Sequence, residues 1–431
     1  MDGGCYLTSK TSLPASNYLN LTMEFMATSD SVLQRDIIVG NFNDVNGALL
    51  YPDGAPRFKC IYTNGGSATN HGRSLGSDGR EIIKQYFYSG GSYTGSCAGA
   101  FIVSHHYLPY SSSQSFNPYY YHLWPARTRS TGLSDTTTGH FIPVSSPLLQ
   151  YSSFGNDLYI DDIYHNGGGY IRDTIPIGTE VLLTFDFPGW NMHNKVSSWA
   201  YKEADSTGRL VVVMSHPESK TTGEGLELMA SILQYALDGV GEMRIKSELY
   251  NNSPIVMDKS TEDSIPSLTK IGDKQYHHFL VQIPSSVDTL HIQLDADPLY
   301  DFNLYLNYDE FALIDNNMLM DISLGSNKEL VLENPLEGDY YVGVECATTV
   351  LGYAQNGYIG QTAVLNGAEY TINASWSSNT DINDYHSNGL RRLVKIVDAL
   401  GREVTEHNKG QVLFYIYNDS TVEKRMNLVN H

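Results

Sequence analysis

One short segment constrains the fold of this chain more than any other. Residues 90–100 read GGSYTGSCAGA, so a single cysteine, Cys97, stands among glycine, serine and alanine. Small neighbours are needed where a strand turns abruptly into a helix, because the turning residue has a strained backbone and its side chain must clear the sheet. The free amides and positive end of that helix would favour a thiolate. The segment therefore predicts an α/β fold with Cys97 as a nucleophile.

A candidate base and its carboxylate follow a second apolar run much later in the chain. Residues 210–214 read LVVVM and predict a buried strand, which delivers His216 and, two residues later, Glu218. A nucleophilic cysteine needs an imidazole to take its proton and a carboxylate to orient that imidazole. We therefore predict Cys97, His216 and Glu218 as nucleophile, base and orienting acid.

These segments also carry a family resemblance. Gly-Ser-Cys-Ala-Gly at 95–99, followed by His-Pro-Glu at 216–218, resembles the Cys…His-x-Glu signature of class I glutamine amidotransferase-like proteins. Within that superfamily the chain most resembles the branch called the biotin-protein ligase N-terminal-like domain. The motifs that support this branch are Asn-Gly-Gly at 64–66, Gly-Gly-x-Tyr-x-Gly at 90–95 and Asn-Gly-Gly-Gly-Tyr at 166–170.

The resemblance implies an architecture and a site for roughly the first half of the chain. It implies a flavodoxin-like α/β fold, in which helices cover both faces of a mostly parallel sheet. It gives the cysteine, histidine and glutamate the same three roles. It also implies an oxyanion hole made by backbone amides near Gly65 or Gly66 and at Ala98.

The pattern changes after residue 240 to short strands in which apolar and polar residues alternate. Residues 290–294 (LHIQL) and 340–344 (YYVGV) are examples, and such strands predict a β-sandwich. Residues 301–306 and 338–344 resemble motifs of the bacterial pre-peptidase C-terminal domain, an accessory module of exported hydrolases.

The end of the chain resembles a secretion signal. After a polar linker at 377–381, residues 393–404 resemble the C-terminal sorting domain of the type IX secretion system, although its opening Pro-Asn-Pro box is missing. The alternative is one more small β-domain without an export role. The predicted organisation is an amidotransferase-like domain at 1–240, a pre-peptidase C-terminal-like sandwich at 241–376, and a linker with a small β tail at 377–431.

Composition excludes several classes of partner. A formal net charge of −21 would repel nucleic acid and anionic membranes. No apolar run approaches the roughly 18 residues that span a bilayer, so no membrane insertion is expected. Four scattered cysteines fit neither a disulfide framework nor a zinc site, and no histidines show ligand spacing, so we expect no metal and no cofactor. The tyrosine-rich insertion at 108–149 is where specificity for a small-molecule or peptide-like substrate is expected.

The sequence thus predicts a secreted or cell-surface cysteine hydrolase that acts on an amide or peptide-like C–N bond. A synthetase role is not expected, because the chain has no Walker-type phosphate loop. Two alternatives remain, a non-catalytic surface binding protein that keeps the pocket and a redox or glyoxalase-like thiol enzyme. Taken singly, Cys97 would also fit a packed residue at a tight turn and His216 a residue at a strand end.

Overall fold

The computed structural model describes residues 38–40, 44–107, 117–172, 174–261, 266–353, 357–378, 393–404, 412–418 and 421–426. The chain divides into two compact units at Asn379. Residues 108–116 of the predicted insertion and most of the predicted linker lie outside the described residues. The boundary expected near residue 240, inside the first unit, stays a prediction.

The first half of the larger unit contains helices and a large sheet. The helices are α1 (Ala68–Tyr88), α2 (Ala98–Phe101) and α3 (Gly223–Leu237). The strands are β1 (Cys60–Thr63), β2 (Ser92–Ser96), β3 (His106–Tyr107), β4 (Arg127–Ser130), β5 (Thr136–Phe141), β6 (Tyr159–His165), β7 (Gly169–Ile171), β8 (Thr179–Asp186), β9 (Val196–Tyr201) and β10 (Leu210–Val213). Seven strands form one sheet in the order β1-β2-β10-β9-β8-β5-β6, and β3, β4 and β7 form a second.

The large sheet is mixed rather than mostly parallel. Strands β1, β2 and β10 are parallel, whereas β9, β8, β5 and β6 continue the sheet with antiparallel pairing. The loops from β8 to β9 and from β9 to β10 are shorter than the dozen or so residues that a parallel crossover needs, so these strands reverse direction. The prediction of a mostly parallel sheet therefore describes only the three strands that surround the candidate site.

Both faces of the sheet are covered, each by one long helix. Leu210 and Val212 of β10 belong to a buried cluster that includes residues of α1, whereas Val211 and Val213 belong to a cluster with residues of α3. Successive strand residues point to opposite faces, so the two helices lie on opposite sides. The chain has fewer helices and more antiparallel strands here than the flavodoxin-like arrangement that we expected.

The second half of the larger unit is a β-sandwich, which confirms the prediction from alternation. Its strands are β11 (Ile245–Glu248), β12 (Ile255–Met257), β13 (Tyr276–Ile283), β14 (Val287–Ala296), β15 (Phe302–Tyr308), β16 (Leu319–Asp321), β17 (Lys328–Glu333), β18 (Gly338–Cys346), β19 (Val350–Tyr353), β20 (Gly357–Gly360) and β21 (Tyr370–Ser378). The sheets β11-β13-β18-β15-β16 and β12-β21-β14-β17 share one buried cluster. Alternate residues of β14, namely Leu290, Ile292 and Leu294, face that cluster.

Buried ion pairs join the two halves of the larger unit. Arg57, just before β1, pairs with Asp273 of the sandwich, and the side chains are 9% and 11% exposed. Asp53 pairs with Lys246 of β11, and its carboxylate lies 3.6 Å from Nε2 of His277. Buried charges of this kind hold the halves together because separating one partner would leave the other unpaired in an apolar setting.

The smaller unit is an antiparallel sheet of β22 (Leu393–Asp398), β23 (Val412–Tyr417) and β24 (Val422–Met426). Ile396, Leu413 and Tyr415 form its buried cluster. Among the residues described, no helix combines the length and apolar character needed to cross a bilayer.

Candidate functional site

Cys97 lies at a sharp turn between a strand and a helix. Strand β2 ends at Ser96, helix α2 begins at Ala98, and Cys97 between them has φ 48° and ψ −103°. A positive φ is unfavourable for a residue with a side chain, and such strain is concentrated at functional sites. The turn requires glycine nearby, since a Cβ on Gly99 would lie 2.1 Å from the carbonyl oxygen of Thr63.

His216 reaches the same edge of the sheet because β10 runs parallel to β2. Val213 of β10 is aligned with Ser96 of β2, and the carboxyl ends of parallel strands meet at one edge. A Cβ on Gly65 would lie 2.5 Å from Cε1 of His216 and 3.6 Å from Cβ of Cys97. The structure therefore brings Cys97, His216 and Gly65 together.

Glu218 holds the imidazole of His216 at one of its two ring nitrogens. Nδ1 of His216 lies 2.8 Å from Oε1 of Glu218, whose side chain is 0% exposed. Burial lowers the pKa of His216, but hydrogen bonds with Cys97 and Glu218 and their charges outweigh it and raise this pKa to about 10. With Nδ1 engaged by the carboxylate, Nε2 is the nitrogen left for the thiol. An imidazole that a carboxylate orients beside a cysteine is the arrangement that can activate a thiol.

A glycine-rich loop covers the sulfur. Sγ of Cys97 lies 3.5 Å from the carbonyl oxygen of Asn166, and Cys97 is only 4% exposed. Gly168 lets the loop approach β10 closely, because a Cβ there would lie 1.9 Å from the carbonyl oxygen of Met214. In the sequence, residues 166–170 carry only the family resemblance and do not indicate this contact.

Two hydroxyl groups, neither of them predicted from the sequence, extend the candidate triad into the sheet. Oγ of Ser96 donates to Oε1 of Glu218 at 2.7 Å, and the hydroxyl of Tyr62 lies 2.8 Å from Oγ of Ser96. Tyr62 is aligned with Thr94, two residues before Ser96, so both side chains lie on the same face. The available signal was the position of Ser96 directly before Cys97.

The amides expected to form an oxyanion hole lie around the cysteine. Ala98 is the first residue of α2, a position whose amide has no acceptor within its own helix. Gly66 has a φ of 130°, which favours glycine, and the carbonyl of Gly65 lies 3.3 Å from Nε2 of His71. Gly65 and Ala98 therefore flank Cys97, and their role as oxyanion donors stays a prediction.

A second group of histidines lies buried beneath this site. Burial lowers the pKa of His140 to about 3 and that of His165 to about 4, the latter helped by the charge of His216. Their ring nitrogens bond to hydroxyl groups of neighbouring serine and threonine side chains. The partners are Thr138 and Ser197 for His140, and Ser215 and Thr131 for His165.

The other described cysteines differ from Cys97. Burial raises the pKa of Cys60 to about 12 despite a hydrogen bond with Thr94, and it does the same for Cys346. Both are free thiols; Cys60 is partly buried against one apolar cluster, and Cys346 is buried within another. Within the described ranges, no group of three or more His, Cys, Asp and Glu side chains is placed to hold a metal.

Comparison with known proteins gives only distant similarities. No family model matches the chain, and no curated protein matches it. Among solved structures, the chain is similar to a glutamine amidotransferase, with 14% identity over 48% of this chain and 92% of that one, and a TM-score of 0.30. It is also similar to the pre-peptidase C-terminal domain of collagenase from Bacillus anthracis, with 12% identity over 31% of this chain and 100% of that one, and a TM-score of 0.20.

A third similarity is to the M60 catalytic domain with two CBM51 domains of Clostridium perfringens ZmpB. The identity is 9% over 37% of this chain and 18% of that one, with a TM-score of 0.19. The first two matches are the kinds of domain that the sequence resembles. All three TM-scores are below 0.5, and we base no argument on them. The biotin-protein ligase branch and the sorting tail stay expectations from sequence.

Proposed function

We propose that this protein is a cysteine hydrolase that cleaves an amide or peptide-like C–N bond. One observation carries the proposal: Cys97, at the strained turn from β2 into α2, lies beside an imidazole that Glu218 holds. The roles we assign are nucleophile for Cys97, base for His216 and orienting acid for Glu218.

In the proposed reaction the proton of the Cys97 thiol resides on His216, because a pKa of about 10 keeps that imidazole protonated at neutral pH. The thiolate attacks the carbonyl carbon, and the amides of Ala98 and of Gly65 or Gly66 stabilise the oxyanion. His216 then protonates the departing amine, so the C–N bond breaks and a thioester remains. Water, deprotonated by His216, attacks the thioester and releases the acid and the thiol.

Access to the sulfur sets a condition on the substrate. Because the carbonyl of Asn166 contacts Sγ of Cys97, a substrate carbonyl must take the place of that contact before attack. A small-molecule or peptide-like substrate that enters along the loop at 166–170 meets this condition.

The test is a panel of amide and peptide substrates with wild-type protein, Cys97→Ala and, as the matched control, Cys60→Ala. We expect Cys97→Ala to lose turnover to background and Cys60→Ala to keep it, since Cys60 is a core thiol. Mass spectrometry of wild type mixed with a turned-over substrate should detect the thioester on Cys97. Unchanged turnover in Cys97→Ala contradicts the mechanism.

A non-catalytic surface binding protein is the second candidate, favoured by the 4% exposure of Cys97. Iodoacetamide at neutral pH separates the two, because a thiolate paired with an imidazolium reacts faster than a buried thiol. Selective labelling of Cys97 over Cys60 and Cys346 supports the hydrolase. Labelling of Cys97 no faster than these two supports the binding protein.

We extend the proposal to a secreted or cell-surface location, on the resemblance of residues 301–344 and 393–404 to modules of exported proteins. In this proposal the tail at 377–431 engages the secretion machinery. Fractionation of a host that expresses the full chain or a chain ending at Ser378 tests it. Equal export of both chains contradicts a role for the tail.

A further inference from the structure

We infer that Ser96 and Tyr62 are positioning residues that hold Glu218, and through it His216, in the geometry that activates Cys97. This inference rests on the proposed function and deepens it. Neither residue touches the reacting sulfur, and both act through hydrogen bonds to the carboxylate.

The direction of each hydrogen bond follows from chemistry. The carboxylate of Glu218 accepts, so the hydroxyl of Ser96 must donate its proton to Oε1. Oγ of Ser96 is then an acceptor for the hydroxyl of Tyr62. Burial and the nearby charge of Glu218 raise the pKa of Tyr62 well above its ordinary value, so this phenol keeps its proton. These hydrogen bonds run from Tyr62 through Ser96 to Glu218.

The carboxylate needs these donors because its side chain is fully buried. An ionised carboxylate away from water is unfavourable unless hydrogen bonds compensate it. Oε1 of Glu218 lies 2.8 Å from Nδ1 of His216 and 2.7 Å from Oγ of Ser96. These two hydrogen bonds hold Oε1 of Glu218 in one position. They therefore also hold the orientation of the His216 ring that faces it.

These hydrogen bonds also connect the three parallel strands of the site. Tyr62 belongs to β1, Ser96 ends β2, and Glu218 follows β10. Ser96 is bonded covalently to Cys97, so the residue before the nucleophile itself holds the acid. The separation between the strand of the nucleophile and the strand of the base is therefore set by one side-chain hydrogen bond as well as by the backbone ladder.

The experiment compares wild type, Ser96→Ala, Tyr62→Phe and the double variant by two measurements. NMR of protein labelled at histidine gives the pKa of His216, and iodoacetamide labelling gives the reactivity of Cys97 against pH. In Ser96→Ala we expect the pKa of His216 to fall by about one unit and alkylation at neutral pH to slow about tenfold. The carboxylate is then no longer held against Nδ1, so the imidazolium and the thiolate lose support.

Tyr62→Phe keeps the ring and removes only the hydroxyl, so it tests the inference even if Ser96→Ala folds poorly. We expect alkylation to slow about threefold, because Tyr62 acts only by polarising Ser96. For the same reason the double variant should be no slower than Ser96→Ala. Additive effects of the two substitutions overturn the inference.

Ser92→Ala is the matched control. Ser92 is buried at the other end of β2, and its Oγ accepts from the amide of Arg209 at 3.0 Å without contacting Glu218. We expect a loss of stability in this variant with the pKa of His216 unchanged. An unchanged pKa in Ser96→Ala, or an equal shift in Ser92→Ala, overturns the inference. If wild type hydrolyses no substrate, the proposed function fails while the NMR comparison still decides this inference.

Discussion

Gly65 lies so close to His216 that a methyl group on its Cα would stand 2.5 Å from Cε1 of the imidazole. Gly65, in the turn after β1, and His216, three residues after β10, are therefore in van der Waals contact at the site. No side chain fits between them, so any residue larger than glycine at position 65 would displace the imidazole of His216.

We predict that Gly65→Ala displaces the imidazole of His216 and slows both hydrolysis and alkylation of Cys97 about 100-fold, since small misplacements of catalytic groups have effects of this size. Rates at fixed pH with folding checked by circular dichroism provide the measurement. Gly132→Ala is the control for backbone strain without a clash, because Gly132 has a φ of 73° and a Cβ there meets nothing within 4 Å. Full activity in Gly65→Ala would contradict the geometry.

The positions of Cys97, His216 and Glu218 were predictable because Cys97 stands among small residues at a turn, and His216 and Glu218 follow the apolar strand β10. Parallel strands then carry these motifs to one edge of the sheet without further information. The roles of Ser96 and Tyr62 were not predictable, because a hydroxyl shows its partner only when the strand register is known. The register of β1, β2 and β10 arises from contacts between segments that are far apart in the chain.

In the architecture too, features set by local sequence were predictable and features set by contacts between distant segments were not. Alternation within strands such as β14 indicated the sandwich, since that signal is local. The pairing of β9, β8, β5 and β6 was missed because strand direction depends on connection length and on competing partners rather than on residue type. The family resemblance implied a mostly parallel sheet, and only β1, β2 and β10 are parallel.

The raised pKa of His216 predicts how stability varies at alkaline pH. The folded-state pKa of about 10 exceeds the ordinary value of 6.5, so the proton on His216 stabilises the fold fully below pH 6.5. This stabilisation is lost as the pH rises towards 10, by up to about 1.4 kcal/mol per pH unit. Urea unfolding between pH 6 and 10 measures it. Glu218→Gln should show a shallower decline, and an equal decline in both would refute the coupling.

The buried histidines His140 and His165 predict that stability also falls at acid pH. His140 and His165 have folded-state pKa values of about 3 and 4, so the unfolded chain takes up protons first as the pH falls below 6.5. The free energy of unfolding should decrease by up to about 1.4 kcal/mol per pH unit for each group. His140→Gln should have a smaller decrease between pH 7 and 4.5. His291→Gln, at a more exposed position on β14, should match wild type.

The ion pair between Arg57 and Asp273 predicts a large cost for removing one partner. Asp273→Ala leaves the guanidinium buried and unpaired, and we expect the free energy of unfolding to fall by about 3 kcal/mol. Equilibrium unfolding in urea measures this change. Glu81→Ala removes an exposed partner of Lys84 and should cost less than about 1 kcal/mol. Equal effects of the two substitutions would show that the pair at Arg57 adds nothing.

The contact between the Asn166 carbonyl and the Cys97 sulfur affects how readily that sulfur would be oxidised in an oxidising medium. A thiolate open to solvent would be converted by peroxide to a sulfenic acid and then to irreversible products. Here the backbone shields the sulfur at rest, and arrival of the substrate itself would uncover it. The same few atoms of the glycine-rich loop would then protect Cys97 from oxidation and select the substrates that can reach it.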